Sequence, residues 1–586
     1  MSGDERRGDG VRLAVLAARL DGIASAMMNT LGRTGRSGVI NTARDYSCCI
    51  LTAAGELVTS AESLPIHVMS GPDMMAKRLV ELWPDLARGD AFLHNSPYEG
   101  NSHAADHCIL VPVVDDEGVH RFTVLAKAHQ ADCGNSQPTT YFSTARDVYE
   151  EGALIFPMVQ VQAGYVQRDD VIRMCKARIR VPEQWHGDYL ALLGAVRIGE
   201  RRLLDLGTEI GWKGVAEHAR DWLDYSERRM MAALRSLPAV AGETTSTHDP
   251  VPGMEDGLEV RVRVRTDPER ALLEVDLREN ADCQPCGLNL TEATSRTAAL
   301  VGVFNALSAG VPPNSGSLRR ISVRLRENCV VGIPVHPTSC SVATTNVADR
   351  VASAVQRLLG ELIEGIGLAE CGTVIPPSVG VISGHDPRAE GRPFVDQIYL
   401  GFTAGAGAAN ADAWLTIGHN GNGGFVCHDS VEMDELRYPI RIETERLLPD
   451  TEGAGRFRGS PSAYVEYGPV DTQLEVHYSS DGTINRALGA RGGLPGAAAD
   501  QRLRRRDGSV EPLPPWGPVV LEPGEVIVSV SGAGGGYGDP LERDPERVAM
   551  DVRERWISTR RAREVYGVAL REDGTVDQAE TARARA

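Results

Sequence analysis

Between Val11 and Leu31, apolar residues recur at steps of three and four: Leu13, Leu16, Leu20, Ile23 and Met27. That spacing predicts a helix with one apolar face, and Gly32 and Gly35 predict its end. "DYSCCILTAAGELVTS" (45–60) reads as strand, turn at Ala54-Gly55, strand. "GPDMMAKRLVELWPD" reads as a short helix, Asp90 to Val114 as strand-like pieces, and Arg121–His129 as a further strand. From Pro182 to Leu237 the period is helical. Leu258–Leu277 alternates with period two around Asp267-Pro268, which predicts a hairpin. Two more helices follow, "SRTAALVGVFNALSAG" and "VADRVASAVQRLLGELIEGIG", each expected to stop at glycine. After Gly372 the chain turns glycine-rich with short strands, among them Leu474–Tyr478 and Val526–Val530, and Pro545–Arg563 reads as one charged helix.

The expected class is α+β, a large multi-layer mixed α/β protein of interlocked subdomains with a strand-rich C-terminal part. We expect an N-terminal metal-bearing region (1–180), a helical and mixed middle (181–372) and a strand-rich end (373–586). At 586 residues the chain exceeds one ordinary domain, and 42% apolar residues suffice for sizeable cores. A net charge of −19 disfavours nucleic acid as a partner. No run of about 18 apolar residues predicts a membrane span. "MSGDERRGDG" lacks the apolar centre of a secretory signal, so we expect a frayed tail and a cytoplasmic protein. The 11 scattered cysteines do not form a disulfide framework, and Cys283-x-x-Cys286 has no second pair at zinc spacing.

Candidate chemistry concentrates in "NSPYEGNSHAADH" (95–107) and "LAKAHQADCGNSQP" (125–138). His103 and Asp106 stand three apart, and His129 and Asp132 repeat the spacing. Imidazole and carboxylate are common ligands of zinc, manganese and iron. Two histidines and one or two carboxylates leave open positions on an ion, as a catalytic site requires. The competing reading is polar residues at strand-end turns. His94 and His107 are spare candidates. Asp45 is a second acidic candidate or a turn residue, and His67 reads first as a loop histidine.

Other motifs carry less. Glu432 and Glu435 would share a helical face and read as solvated. "RLRRRDGS" reads as a solvated loop. "SGAGGGYGDP" (531–540) lacks the GK[ST] of a phosphate loop and reads as a tight turn. The chain has no G-x-S-x-G elbow and no nucleotide motif.

With these residues in view, the chain resembles the hydantoinase B/oxoprolinase family. The likeness runs from about Ile23 to Val568. "ARDYSCCILTAAGELV" resembles the family's R-D-[FY]-S strand, "LPIHV" its IPxHLG, "GDAFLHNSPYEGNSHAADH" its N-D-P-Y-x-G-G-T-H segment and "AHQADCG" its aHxxDvGG. "EGALIFP", "RIRVPEQWHGD", "PPNSGSLRRISV", "EGAGRFRGS", "GARGGLPG" and "GAGGGYGDP" continue in order. The resemblance implies a divalent metal (zinc, manganese or iron) on Asp45, His103, Asp106 and His129. It places Asp45, Asp132 and Glu151 as catalytic candidates and Arg180 and His67 as substrate-binding ones. It also implies a hetero-oligomer in which an actin-fold, ATP-using hydantoinase A-type subunit phosphorylates a small-molecule substrate, so that ATP is not bound here.

The implied activity is hydrolysis of an activated cyclic amide. Phosphorylating the carbonyl oxygen removes amide resonance, and a metal lowers the pKa of water towards about 7. The alternatives are a ketone carboxylase of the acetone or acetophenone type, a stand-alone metal-dependent amidohydrolase, and a non-catalytic scaffold. Ser96, Asn101, Asn135 and His428 depart from the family pattern, so the lining of the pocket, unlike the ligand positions, is not standard.

Overall fold

The computed structural model describes residues 3–251, 253–307, 310–372, 375–401, 404–415 and 417–586. It is a mixed α+β protein. An antiparallel seven-stranded sheet holds the first third: β1 (Tyr46–Thr52), β2 (Leu57–Thr59), β3 (Ala91–His94), β4 (Asp106–Val114), β5 (His120–His129), β6 (Val159–Ala163) and β7 (Val166–Gln167), in the order β2-β1-β5-β4-β3-β6-β7. β1, β4 and β5 are buried along nearly all their length because both faces of the sheet are covered. Cys48, Ile50, Ile109, Val111, Val124 and Ala126 face a core shared with Ile23 and Met27 of the first helix (Gly3–Thr34) and with Trp185 and Leu192 of the long helix Pro182–Ile210. Those helices approach so closely that a Cβ on Gly199 would meet Met27 Sδ at 2.5 Å. Cys49, Leu51, Cys108, Leu110 and Leu125 face the other way, onto Met75 and Leu79 of helix Pro72–Leu82.

A second sheet is built from β8 (Ala241–His248), β9 (Leu258–Asp267), β10 (Leu272–Asp276) and β11 (Ile321–Arg324), in the order β11-β10-β9-β8. The helices Glu292–Ala306 and Asn346–Leu362 pack together beside it. The last part holds two more antiparallel sheets, one of which pairs β12 (Val381–Asp386) with β13 (Arg392–Gln397). The 180/181 division is crossed by packing, since the helix Pro182–Ile210 covers the first sheet.

Three expectations change. The stretch read as a frayed tail is helical from Gly3 onward. Extending a helix already nucleated by a packed segment is far easier than starting one. The charged C-terminal segment is two helices, Pro545–Arg553 and Thr559–Glu564. Arg555 (φ 64) interrupts it, and the Ser558 side chain caps the second piece. "SGAGGGYGDP" is no tight turn but a segment threaded between backbones. Cβ atoms on Gly534, Gly535 and Gly536 would lie 1.9, 2.2 and 2.2 Å from the carbonyl oxygens of Gly405, Leu488 and Ala454. Glycine is there for close approach.

Candidate metal centre and its cleft

The ends of three neighbouring strands make the site. In the β4–β5 ladder, Asp106 lies directly opposite His129, so their side chains share a face. Asp45 immediately precedes β1, and its carbonyl accepts the His129 amide at 3.1 Å. His103 lies in the loop entering β4. A period of two separates Asp106 from His107. His107 faces the opposite core, where its Nδ1 accepts from Trp185 Nε1 at 3.2 Å and burial pushes its pKa down to about 3. His94 is also away from the cluster: Nδ1 accepts the Met158 amide, and burial lowers its pKa to about 3.

His103 Nε2 lies 3.0 Å from Asp106 Oδ1 and 3.2 Å from His129 Nδ1. His129 Nδ1 lies 3.2 Å from the same Asp106 oxygen. All three residues are buried, and their ligand atoms fall within 4.8 Å of one another. Donor atoms at about 2.1 Å from a tetrahedral ion are separated by about 3.4 Å, so opening this triangle by a few tenths of an ångström would admit a cation. The donor types suit zinc, manganese or iron, and the residues present therefore fit a divalent metal. The outer nitrogens are tied down: His103 Nδ1 lies 2.8 Å from the Ser341 carbonyl and His129 Nε2 2.9 Å from Thr140 Oγ1. Such partners orient metal-binding histidines and fix which nitrogen is offered.

His67 stands at the centre of the cluster's edge rather than in a loop. It lies on a single helical turn, Pro65–Val68, with Nδ1 3.1 Å from Ser47 Oγ. Its Nε2 lies 3.2 Å from Asp106 Oδ2 and 3.6 Å from Asp45 Oδ1. It joins the two carboxylates, and through it Asp45 stands one residue removed from the ligand triangle. Asp45 also accepts from Tyr399 Oη at 2.9 Å and follows Arg44, which takes the left-handed conformation (φ 60). Burial opposes the charge on Asp106, but His103 and His67 hold its carboxyl well below the usual range. Burial would lower the pKa of His103, and the Asp106 carboxylate more than offsets this. Sequence reasoning missed Lys127, two residues before His129 on the same face of β5. It is fully buried and donates to Ser102 Oγ at 3.0 Å; Ser102 in turn donates to Asp106.

The repeated H-x-x-D spacing is not a structural repeat. Asp106 begins a strand, whereas Asp132 follows one. The Asp132 carboxylate turns to Arg180, accepting the Arg180 amide at 2.6 Å and its guanidinium at 3.1 Å. Arg180 also donates to the Asn135 carbonyl at 2.7 Å. The pair staples the loop after β5, and the structure does not bring Asp132 into the ligand triangle. Glu151 lies behind His103. It accepts from Ser339 Oγ at 2.7 Å, and burial raises its pKa while the His103 charge opposes the rise.

Asp45 borders a narrow cleft with about 10 Å³ of free space, lined also by Tyr141, Thr345, Gln397, Tyr399 and His419. Gln397 ends β13, so the last region of the chain supplies much of the wall. No sequence signal marked Tyr399 or His419.

A family model described as hydantoinase B/oxoprolinase matches residues 9–540. The chain belongs to this family. It is 30% identical over 582 residues to the caprolactamase subunit beta of Pseudomonas jessenii, covering 98% of each sequence. Its fold matches the crystal structure of the ATP-dependent caprolactamase from Pseudomonas jessenii with a TM-score of 0.85 at 26% identity, over 98% of this chain and 99% of that one. It also matches the nucleotide-free structure of acetone carboxylase with a TM-score of 0.86 at 16% identity, over 100% of this chain and 83% of that one. At that identity the second likeness concerns the fold alone. Among the described residues, no helix is long and apolar enough to cross a membrane.

Proposed function

We propose that this chain is the metal-dependent subunit of an ATP-coupled hydrolase that opens a cyclic amide after a partner has phosphorylated its carbonyl oxygen. The observation that carries the reading is the convergence of His103 Nε2, Asp106 Oδ1 and His129 Nδ1 on one buried point beside a cleft. The named caprolactamase relative supports the substrate class. The absence of a nucleotide motif fits a division of labour with an actin-fold, ATP-using subunit.

His103, Asp106 and His129 would hold the cation, with Asp45 as a nearby carboxylate. A divalent cation there supplies a Lewis acid and acidifies water at neutral pH. The chain's own residues do the rest. Asp45 is oriented by Tyr399 and faces His67, so it is placed to take a proton from water in the cleft. His67 bridges that carboxylate and Asp106 through one nitrogen and holds the two in place. Tyr141, Gln397 and Tyr399 line the cleft and limit the water that reaches a labile phosphorylated substrate.

The test is to purify the chain with its ATP-using partner and assay ε-caprolactam, 5-oxoproline and hydantoin with ATP. The expectation is ring opening that needs both subunits, ATP and metal, and that disappears in His103→Ala along with the bound metal. Unchanged metal and turnover in that variant would refute the site. Hydrolysis by the single chain without ATP would instead identify a stand-alone amidohydrolase, and bicarbonate-dependent carboxylation of acetone would identify a carboxylase.

A further inference from the structure

A second histidine–carboxylate pair borders the same cleft. His419 lines it alongside Asp45, Gln397 and Tyr399. It precedes the single turn Asn420–Asn422, which packs on the helix Asn346–Leu362. His419 Nδ1 lies 3.4 Å from Asp349 Oδ1, in the first turn of that helix. The same Asp349 oxygen accepts the Gly421 amide at 3.3 Å. His419 is 7% exposed and Asp349 4%. His419 Nδ1 and Asp349 Oδ2 are buried without a hydrogen-bond partner. Native proteins leave few such atoms, and each calls for an explanation. Catalytic hydrogen bonds are often long before substrate binds and tighten in the complex. With Nδ1 turned to Asp349, the opposite edge of the ring, Nε2, is left for the cleft.

We propose that His419, held by Asp349, is the proton donor to the ring nitrogen when the amide C–N bond breaks. This rests on the cyclic-amide reading above. Water adds its oxygen to the phosphorylated carbon, and one of its protons passes to the Asp45 side of the cleft. The ring nitrogen of the resulting adduct is singly protonated, and the carbon carries hydroxyl, phosphate and nitrogen. Two groups can leave. Phosphate departs with its electron pair and needs no proton, which returns the lactam and wastes the ATP. Nitrogen departs only when it gains a second proton, because an amide anion is far too basic a leaving group. If Nε2 of His419 supplies that proton, the C–N electron pair goes to a neutral amine. The hydroxyl proton is released to re-protonate His419, and an acyl phosphate remains for a second water to cleave into carboxylate and phosphate. The proton donor thus decides between ring opening and futile return. Asp45 accepts the proton from water on one wall of the cleft, and His419 stands on another element of its lining, placed to serve the leaving nitrogen.

The experiment compares wild type, His419→Gln and Asp349→Asn as complexes with the ATP-using partner, fed ε-caprolactam and ATP in heavy-oxygen water. In wild type, ATP consumption matches 6-aminohexanoate formed. In His419→Gln, ring opening is expected to fall roughly 10²–10⁴-fold, the usual worth of a positioned general acid. Lactam-dependent ATP consumption continues, and heavy oxygen appears in recovered lactam. Asp349→Asn moves the same way by a smaller factor. Metal content stays at the wild-type value, and both variants remain folded. A proportional loss of ATP consumption and product, with no heavy oxygen in the lactam, would overturn the assignment. If the wild-type complex opens none of ε-caprolactam, 5-oxoproline and hydantoin, the cyclic-amide reading fails by itself. The pair is then judged by diethyl pyrocarbonate labelling and peptide mass spectrometry. Asp349-dependent modification of His419 upholds it, and an unreactive His419 overturns it.

Discussion

Replacing Asp106 by asparagine keeps its shape and removes one charge. That carboxylate compensates more than any other group in the site. Its Oδ1 faces His103 Nε2 at 3.0 Å and His129 Nδ1 at 3.2 Å, and its Oδ2 faces His67 Nε2 at 3.2 Å. Through Ser102 it also answers the buried ammonium of Lys127. Losing an outer-shell partner of a metal ligand typically costs about 10–100-fold in affinity. Loss of a charged ligand should exceed that, so Asp106→Asn is expected to bind metal at least about 100-fold more weakly, about 2.7 kcal/mol. Ion at 100 times the wild-type dissociation constant stabilises wild type by about 2.7 kcal/mol, but a variant weakened 100-fold by only about 0.4 kcal/mol. The metal-free variant also suffers, because Lys127 and the imidazoles lose their counter-charge. Removing one partner of a buried pair costs about 3–5 kcal/mol. Metal content after dialysis and thermal melts with and without chelator measure both effects. An Asp106→Asn protein that keeps stoichiometric metal and the wild-type chelator response would refute the ligand triangle.

Tyr399→Phe removes the donor at 2.9 Å from Asp45 Oδ2. It should lower turnover roughly tenfold, about 1.4 kcal/mol, with metal content unchanged; lost metal would mean that Tyr399 shapes the ligand triangle instead. Burial would lower the pKa of His428, but Glu445 at 2.9 Å helps carry it up to about 9. The folded state therefore keeps a proton that the unfolded state loses, so this stabilisation is complete below about pH 6.5 and is lost as pH rises through about 9. Chemical melts across that window should decline more gently for His428→Asn than for wild type, and parallel curves would rule the pair out as the cause. Gly534→Ala should abolish soluble folding, because its Cβ would lie 1.9 Å from the Gly405 carbonyl oxygen. Gly22→Ala, in the first helix with nothing within 4 Å, should instead raise stability by about 0.5–1 kcal/mol; equal effects in a melt would contradict the packing account.

The part of the site built from short-range pattern was legible. Apolar runs located β4 and β5, and polar residues at their ends marked His103, Asp106 and His129. The ladder then did what a two-residue period demands, placing Asp106 against His129 and sending His107 to the other core. The repeated H-x-x-D spacing misled because equal spacing in sequence spans a strand start in one copy and a strand end in the other. Asp132 consequently serves Arg180. His67 looked like a loop histidine because nothing local shows that its turn packs on Ser47. Lys127 was hidden inside a buried strand, and its importance depends on Ser102 in the loop that enters β4.

Tyr399 and His419, with Asp349 behind His419, were illegible for a stronger reason: they come from more than 300 residues beyond Asp45 in the chain. The contacts that bring them are specific. Asp396 accepts the Gly38 and Val39 amides at 2.7 and 3.2 Å, fixing the turn just ahead of Asp45. The Cys427 amide donates to the Ala43 carbonyl at 2.7 Å. Tyr399 then binds the Asp45 carboxylate itself. The segment carrying Asp45 is thus held from both sides by the last region, while the ligand triangle is held by the first. A metal site alone could be built within the first sheet. The cleft beside it draws its walls from all three stretches of the chain, since Asp45 and Tyr141, Thr345, and Tyr399 line it together, and the bonds of Asp396, Tyr399 and Cys427 to the Asp45 segment hold that arrangement.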